Sequence, residues 1–246
     1  MIIKSNNPPI KTGIVIPCYN EARRLRQEDF LSLPKKVCLL LVDDGSTDNT
    51  LDKLKKLESL NKNIQVLSLN KNKGKAEAVR RGVKALLKDK SIKIFGYLDA
   101  DLSTSIEEFL KIAERLEGEV CFAFGSRIQT INSTIERKYL RFVIGRLIAA
   151  IISKVLKIRI YDTQCGCKVF LRAEGEKVFK NQFISKWLFD VEIFFRLIDI
   201  KGIGNIADCA LEYPLEKWID KDGSKVSLLY GFRLFFDLIK IKNRYK

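Results

Sequence analysis

Two aspartates separated by one residue, Asp99-Ala100-Asp101, end the apolar run 92–98. That spacing lets one loop aim two hard oxygen ligands at a divalent cation. A cation held by only two carboxylates takes its remaining ligands from water or substrate phosphates. A second acidic string, Asp43-Asp44-Gly45-Ser46-Thr47-Asp48, ends another apolar run, and Asp44 can accept hydrogen bonds from a base or ribose there. A third string, Pro17-Cys18-Tyr19-Asn20-Glu21, closes the first run. Open α/β sheets bind ligands in the crevice at the carboxyl ends of their strands. Three such strings at strand ends therefore read as a metal-assisted nucleotide site. Between the second and the aspartate pair lies the basic loop Asn70-Lys71-Asn72-Lys73-Gly74-Lys75, followed by a helical pattern. A helix N-terminus with Lys75 suits a phosphate, although the P-loop spacing is missing.

The elements that must position these residues alternate. Runs at 14–17, 37–42, 64–69, 92–98 and 120–124 read as strands, and helical patterns at about 48–60, 74–89 and 105–117 separate the later ones. Strands alternating with helices predict a mostly parallel α/β sheet flanked by helices. Asp48 and Ser105 are expected as N-caps. The second half predicts a basic–apolar helix over 135–158, a strand at 166–171 and a helix near 186–200. A β-type stretch near 203–218 and a final helix from about 226 follow. No repeat or Pro/Gly-rich linker divides the chain, so 1–246 reads as one domain. Residues 12–125 form its nucleotide half, and 126–246 its acceptor half, with amphipathic helices toward the C-terminus.

Composition narrows the chemistry. The 246 residues carry 45 Lys+Arg against 30 Asp+Glu, a formal charge of +15, and no histidine. Every mechanism that needs an imidazole base or ligand is thereby removed. The positive excess favours a polyanionic partner, nucleic acid or an anionic membrane surface. The lysines do not alternate with surface aromatics and no binding motif accompanies them, which argues against nucleic acid. The six cysteines form no CxxC pair, so reduced thiols in a cytoplasmic setting are expected instead of a zinc site. No stretch reaches the ~18 uninterrupted apolar residues of a membrane span. The final helix nevertheless carries an apolar arc too wide for a water-facing helix, including Phe232, Leu234, Phe235, Phe236, Leu238 and Ile239. It must pack, dimerise or enter a bilayer interface. Peripheral attachment at the cytoplasmic face of a membrane is the expectation.

The ordered set Pro-x-Tyr-Asn-Glu, Val-Asp-Asp-Gly-Ser-x-Asp, Asn-x-Gly-Lys and Asp-Ala-Asp resembles the inverting GT-A glycosyltransferases of family 2. Gly125-Ser126-Arg127, Arg141 and Asp162-Thr163-Gln164-Cys165-Gly166-Cys167-Lys168-Val169-Phe170 are similar to the branch that loads sugars onto polyprenyl phosphates, on its glucosyl side. The resemblance spans roughly 12–230. It implies a GT-A, Rossmann-like fold, with UDP-glucose as favoured donor, GDP-mannose as the alternative, and polyprenyl phosphate as acceptor. It implies that Pro17, Tyr19, Glu21 and Asp44 hold the base and ribose, with Lys75 and Asp99 near the diphosphate sugar. Asp101 would bind Mg²⁺ or Mn²⁺ together with Asp99, and Ser103 stands where mannose-transferring relatives commonly have Gln as a third ligand. Asp190, in the string Phe189-Asp190-Val191-Glu192, becomes a candidate for a sugar-hydroxyl contact. A polysaccharide acceptor is a further alternative.

The missing histidine agrees with such an acceptor. A lipid monophosphate with a second pKa near ~6 is already anionic at neutral pH and can attack without a strong base. The protein must instead hold two anions close together. Arg127 and Arg141 are the candidate clamps, because a guanidinium grips phosphate bidentately. On a helix over 135–158, Arg141 shares its face with Arg137 and is turned away from Arg146.

Overall fold

The apolar runs of the first half form parallel strands whose connections include helices. The structure, a computed structural model, describes residues 11–136, 139–220 and 230–245, with the backbone alone at 31, 140, 141 and 230–233. Strands β1 (Lys11–Cys18), β2 (Val37–Asp43), β3 (Ile64–Ser68) and β4 (Ile92–Leu98) alternate with helices α1 (Glu28–Leu31), α2 (Thr50–Leu60) and α3 (Lys75–Leu86). β1 pairs in parallel with β2 and β4, and β2 with β3. Every residue of β2 is buried, as expected of a parallel strand covered on both faces. Then come α4 (Ile106–Ala113), β5 (Phe122–Ser126), β6 (Thr134–Glu136), α5 (Tyr139–Leu156), β7 (Cys167–Leu171), α6 (Arg172–Val178) and α7 (Phe189–Lys201). The short α8 (Ile206–Cys209), β8 (Ala210–Pro214), β9 (Lys217–Ile219) and α9 (Tyr230–Arg244) complete the described chain.

Among the described residues, one sheet runs in the order β3-β2-β1-β4-β7-β5-β8, and β6 pairs with β9 apart from it. β7 is antiparallel to both β4 and β5, while β8 is parallel to β5. The reversal of β7 matters for the site. Cys167, its first residue, pairs with Leu98, the last of β4. The loop before β7 therefore meets the loop after β4.

Period-two alternation divides the core between the two faces of the sheet. Val15, Leu40 and Val42 pack with Val79, Val83 and Phe189 on one face. Ile14, Ile16, Leu39 and Leu41 pack with Leu54, Phe109 and Ile112 on the other. Ser105 caps α4, its hydroxyl accepting from the Glu108 amide at 3.2 Å. Asp48 stands one position outside the α2 cap, where Asn49 sits, and accepts from the amides of Thr50 and Ala22.

Three expectations change. The helix expected from 135 begins at Tyr139, because 134–136 pair with β9. The β-type stretch from 203 starts as two short helical turns, Ile203–Asn205 and α8, which bury Ile206 and Cys209 before β8 begins. α6 was not expected, since only Gly175 and Val178 of its seven residues are buried and they form no periodic pattern.

α5 and α9 each divide their apolar residues. Ala149, Ile152 and Leu156 of α5 are buried, whereas Tyr139 (80 %) and Leu147 (65 %) are exposed. Leu234, Leu238 and Ile241 of α9 are buried, whereas Phe235, Phe236 and Ile239 are exposed. Residues 226–229, expected within this last helix, and Arg137 lie outside the described residues. Arg141 lies in the first turn of α5, but its side chain is also outside them. Arg146 is committed within the protein, with its guanidinium 3.5 Å from the Tyr161 ring centre and donating to the Tyr161 carbonyl. No helix among the described residues is long and apolar enough to cross a membrane.

Candidate active site

The carboxyl ends of β1, β2 and β4 converge as their motifs require. Asn20 adopts a left-handed backbone (φ 52°), and its side-chain carbonyl accepts from the Thr47 amide at 2.8 Å. The Asn20 amide in turn donates to the Ser46 hydroxyl at 3.0 Å. Two loops distant in sequence are thus tied together. Asp44, 3 % exposed, accepts from the amides of Lys73 and Gly74, both at 2.8 Å. Burial pushes its carboxyl up and these two amides hold it down. Asp44 is therefore a brace for the loop that delivers Lys75. Gly74 has φ +92°, a conformation that favours glycine. Pro17 and Tyr19 are half-buried beside these loops. Glu21 is buried, accepting from two guanidinium nitrogens of Arg24 at 2.7 Å.

Asp99, Asp101 and Ser103 line one crevice with Arg127, Gln164 and Trp218. Asp101 Oδ1 accepts from the Ser103 amide at 2.9 Å, which fixes the carboxylate in the turn. Lys75 reaches across from α3, its Nζ 2.5 Å from Asp99 Oδ1. Asp99 is half-buried, and its side chain is open to the crevice. Burial pushes its carboxyl up, Lys75 pulls it down, and Asp101 and Asp190 push it up again. Burial pulls the Lys75 ammonium down, but Asp99, Asp190 and Asp101 outweigh that and hold it protonated. The reversed β7 places Gly166 beside these groups. The Asp99 amide donates to the Gly166 carbonyl at 3.1 Å, and a β-carbon at 166 would lie 2.0 Å from Asp99 Oδ2. Only glycine lets the two loops approach this closely.

The donor set suits a hard divalent cation. Asp99 and Asp101 face one crevice, and no group of three or more Asp, Glu, Cys or His side chains among the described residues would close its coordination. Two carboxylates leave positions for water and phosphate oxygens, as Mg²⁺ in particular prefers.

Arg127 lines the crevice, but its fork is closed on Asp162, with Nε–Oδ2 at 2.6 Å and Nη2–Oδ1 at 2.8 Å. Its guanidinium lies 5.2 Å from the Trp218 ring centre. Glu212 of β8 holds Asp162 in turn, accepting from the amides of Asp162 at 2.7 Å and Tyr161 at 2.9 Å. The bidentate grip expected on a phosphate is made, in this structure, on Asp162. Asp190 also differs from its expected place. It is not among the lining residues and is 4 % exposed. Its Oδ1 lies 2.7 Å from Lys168 Nζ and accepts from the Tyr97 hydroxyl. Burial and the Asp190 charge both keep that phenol protonated. Asp190 is thus a buried anion behind the crevice, close enough to act on Asp99 and Lys75 through its field. Glu192 is likewise internal, paired with Arg196 at 2.7 Å.

Sequence reasoning missed Lys168, which is 0 % exposed with its ammonium donating to the Cys165 carbonyl at 2.8 Å. The signal was present: a lone lysine inside the apolar strand Cys-Lys-Val-Phe needs a buried anion. Asp162 belongs to a motif by sequence, but its pairing with Arg127 is set by the fold.

The sequence model of Glycosyl transferase family 2 matches residues 13–179. The chain is 29 % identical over 269 aligned positions to a dolichyl-phosphate beta-glucosyltransferase of Dictyostelium discoideum, spanning 99 % of this chain and 78 % of that one. It is 30 % identical to the enzyme of the same name from Saccharomyces cerevisiae, spanning 95 % and 74 %. Among solved structures, mannosyl-3-phosphoglycerate synthase from Rubrobacter xylanophilus superposes with a TM-score of 0.67 at 15 % identity, covering 96 % of this chain and 73 % of that one. The mannosyltransferase PcManGT from Pyrobaculum calidifontis, in complex with GDP-Man and Mn²⁺, gives 0.60 at 16 % identity, covering 94 % and 62 %. At these identities the structural likeness speaks to fold alone.

Proposed function

The chain belongs to glycosyl transferase family 2 and is a GT-A glycosyltransferase, and from that premise we propose that it moves glucose from UDP-glucose to a polyprenyl phosphate of the dolichyl type, with inversion. The observation that carries this reading is the shared crevice of Asp99, Asp101 and Arg127, with Lys75 of α3 paired to Asp99. The named relatives, aligned along nearly the whole chain, supply the substrate class.

Asp99 and Asp101 would hold Mg²⁺ or Mn²⁺, whose charge offsets that of the leaving diphosphate. Ser103, in the same turn, would complete that side of the site. Pro17 and Tyr19 flank the base, and Asp44 keeps the Lys73–Gly74 amides in place beneath the ribose and phosphates. Lys75 orients Asp99 and faces the diphosphate. The acceptor phosphate is already anionic, so its own oxygen attacks the anomeric carbon and no base need be supplied. Arg127 and Arg141 counter its charge. Arg127 does so while Asp162 fixes its plane, which lowers the ordering cost of the clamp. Attack opposite the departing diphosphate inverts the anomeric centre. Exposed Tyr139, Leu147, Phe235 and Phe236 with the +15 charge suit attachment to an anionic membrane surface, at the cytoplasmic face where the acceptor would be presented.

Calorimetry tests the donor half of the proposal. UDP-glucose is expected to bind in Mn²⁺ and to bind more weakly after EDTA treatment. Binding of GDP-mannose alone would reassign the sugar, and failure of both donors would overturn the reading.

A further inference from the structure

Lys186 contributes a cation that neither the sequence motifs nor the crevice lining includes. It sits just before α7, in a segment pinned from two sides. The buried Ser185 hydroxyl accepts from the Leu188 amide at 2.9 Å and donates to Asp237 of α9 at 2.5 Å. The Lys186 carbonyl accepts from the Ala76 amide at 3.2 Å, in the first turn of α3. Its stem lies along Gly74, where a β-carbon would come within 3.1–3.3 Å of Lys186 Cδ, Cβ and Cγ. A residue 111 positions beyond Lys75 is therefore clamped onto the loop that Asp44 braces. The ammonium has no hydrogen-bond or ion-pair partner among the described residues. Its charge still reaches Asp44, whose carboxyl burial pushes up and Lys186 helps to lower. A cation held by its stem but left unpaired is arranged for an anion from outside.

We infer that Lys186 binds the diphosphate of the nucleotide donor, reaching over Gly74 to phosphates lying between Asp44 and Asp99. The inference rests on the donor reading above and adds a binding residue to it. A lysine suits this position because its compact charge serves a phosphate without demanding one fixed orientation. It also leaves Lys75 committed to Asp99, so the two lysines divide the work of orienting the carboxylate and holding the leaving group.

UDP and uridine distinguish this role from a structural one. In Mn²⁺, Lys186→Ala is expected to weaken UDP about 10–100-fold, the range of one charge-assisted hydrogen bond. Uridine, followed by ligand-observed NMR, should bind the variant as it binds the wild type. Lys186→Arg should recover most of the UDP affinity. Unchanged UDP affinity in Lys186→Ala would overturn the inference, as would equal weakening of UDP and uridine, which marks a loosened Gly74 loop. If the wild-type protein bound no UDP, the donor reading would fall and the inference with it.

Discussion

Asp101→Asn is expected to abolish sugar transfer while leaving the fold intact. Asparagine is nearly isosteric and keeps an oxygen to accept from the Ser103 amide, so the turn after β4 should survive. What disappears is one of the two carboxylates that, among the described residues, line the crevice. A site with so few anionic ligands cannot lose one and hold a divalent cation at ordinary concentrations. The developing charge on the leaving diphosphate then goes unopposed, and losing one such electrostatic contact costs on the order of 10²–10³ in kcat. Initial rates across a Mn²⁺ titration, beside thermal melts, provide the measurement. Raised Mn²⁺ should recover part of the rate. A variant as active as wild type, or wild-type activity indifferent to EDTA, would sink the metal assignment.

The second large effect concerns stability. Lys168 and Asp190 form a buried ion pair, with the Tyr97 hydroxyl donating to the same carboxylate. Removing one partner of such a pair strands the other charge and costs about 3–5 kcal/mol. Lys168→Met should therefore lower the melting temperature by roughly 6–20 °C for a domain of this size. The double variant Lys168→Met/Asp190→Asn removes both charges, and its amide oxygen can still accept from Tyr97. It should recover much of the loss, giving a double-mutant cycle far from additive. A single variant that melts with wild type, or a double variant whose loss equals the sum of the singles, would show that the pair is not coupled. Asp190→Asn should also shift the pH dependence of transfer, because Asp190 acts on both Lys75 and Asp99.

The sequence was most legible where one residue's type settles its surroundings. Asp99, Asp101 and Ser103 stand where their motif put them, because a turn closed by an Asp side chain is a local structure. β1, β2 and β4 were readable because buried parallel strands are near-continuous apolar runs. Arg127 was legible as a crevice cation but not as Asp162's partner. That pairing depends on Glu212 of β8, and fifty residues separate Glu212 from Asp162. Asp190 was legible only as a carboxylate in an apolar helix start, because its partner Lys168 is brought to it by the reversed β7. Lys186 escaped notice because nothing local marks it. Its position follows from α3 and α9 closing on one short segment.

One measurement bears most directly on the whole proposal. Wild-type protein is incubated with Mn²⁺, radiolabelled UDP-glucose and dolichyl phosphate in detergent, and the mixture is partitioned between water and organic solvent. Label is expected in the organic phase as a β-linked glucosyl lipid phosphate, and Asp101→Asn should leave it in the aqueous phase. If UDP-glucose and GDP-mannose both bind while neither transfers label to the lipid, a polyprenyl phosphate is not the acceptor.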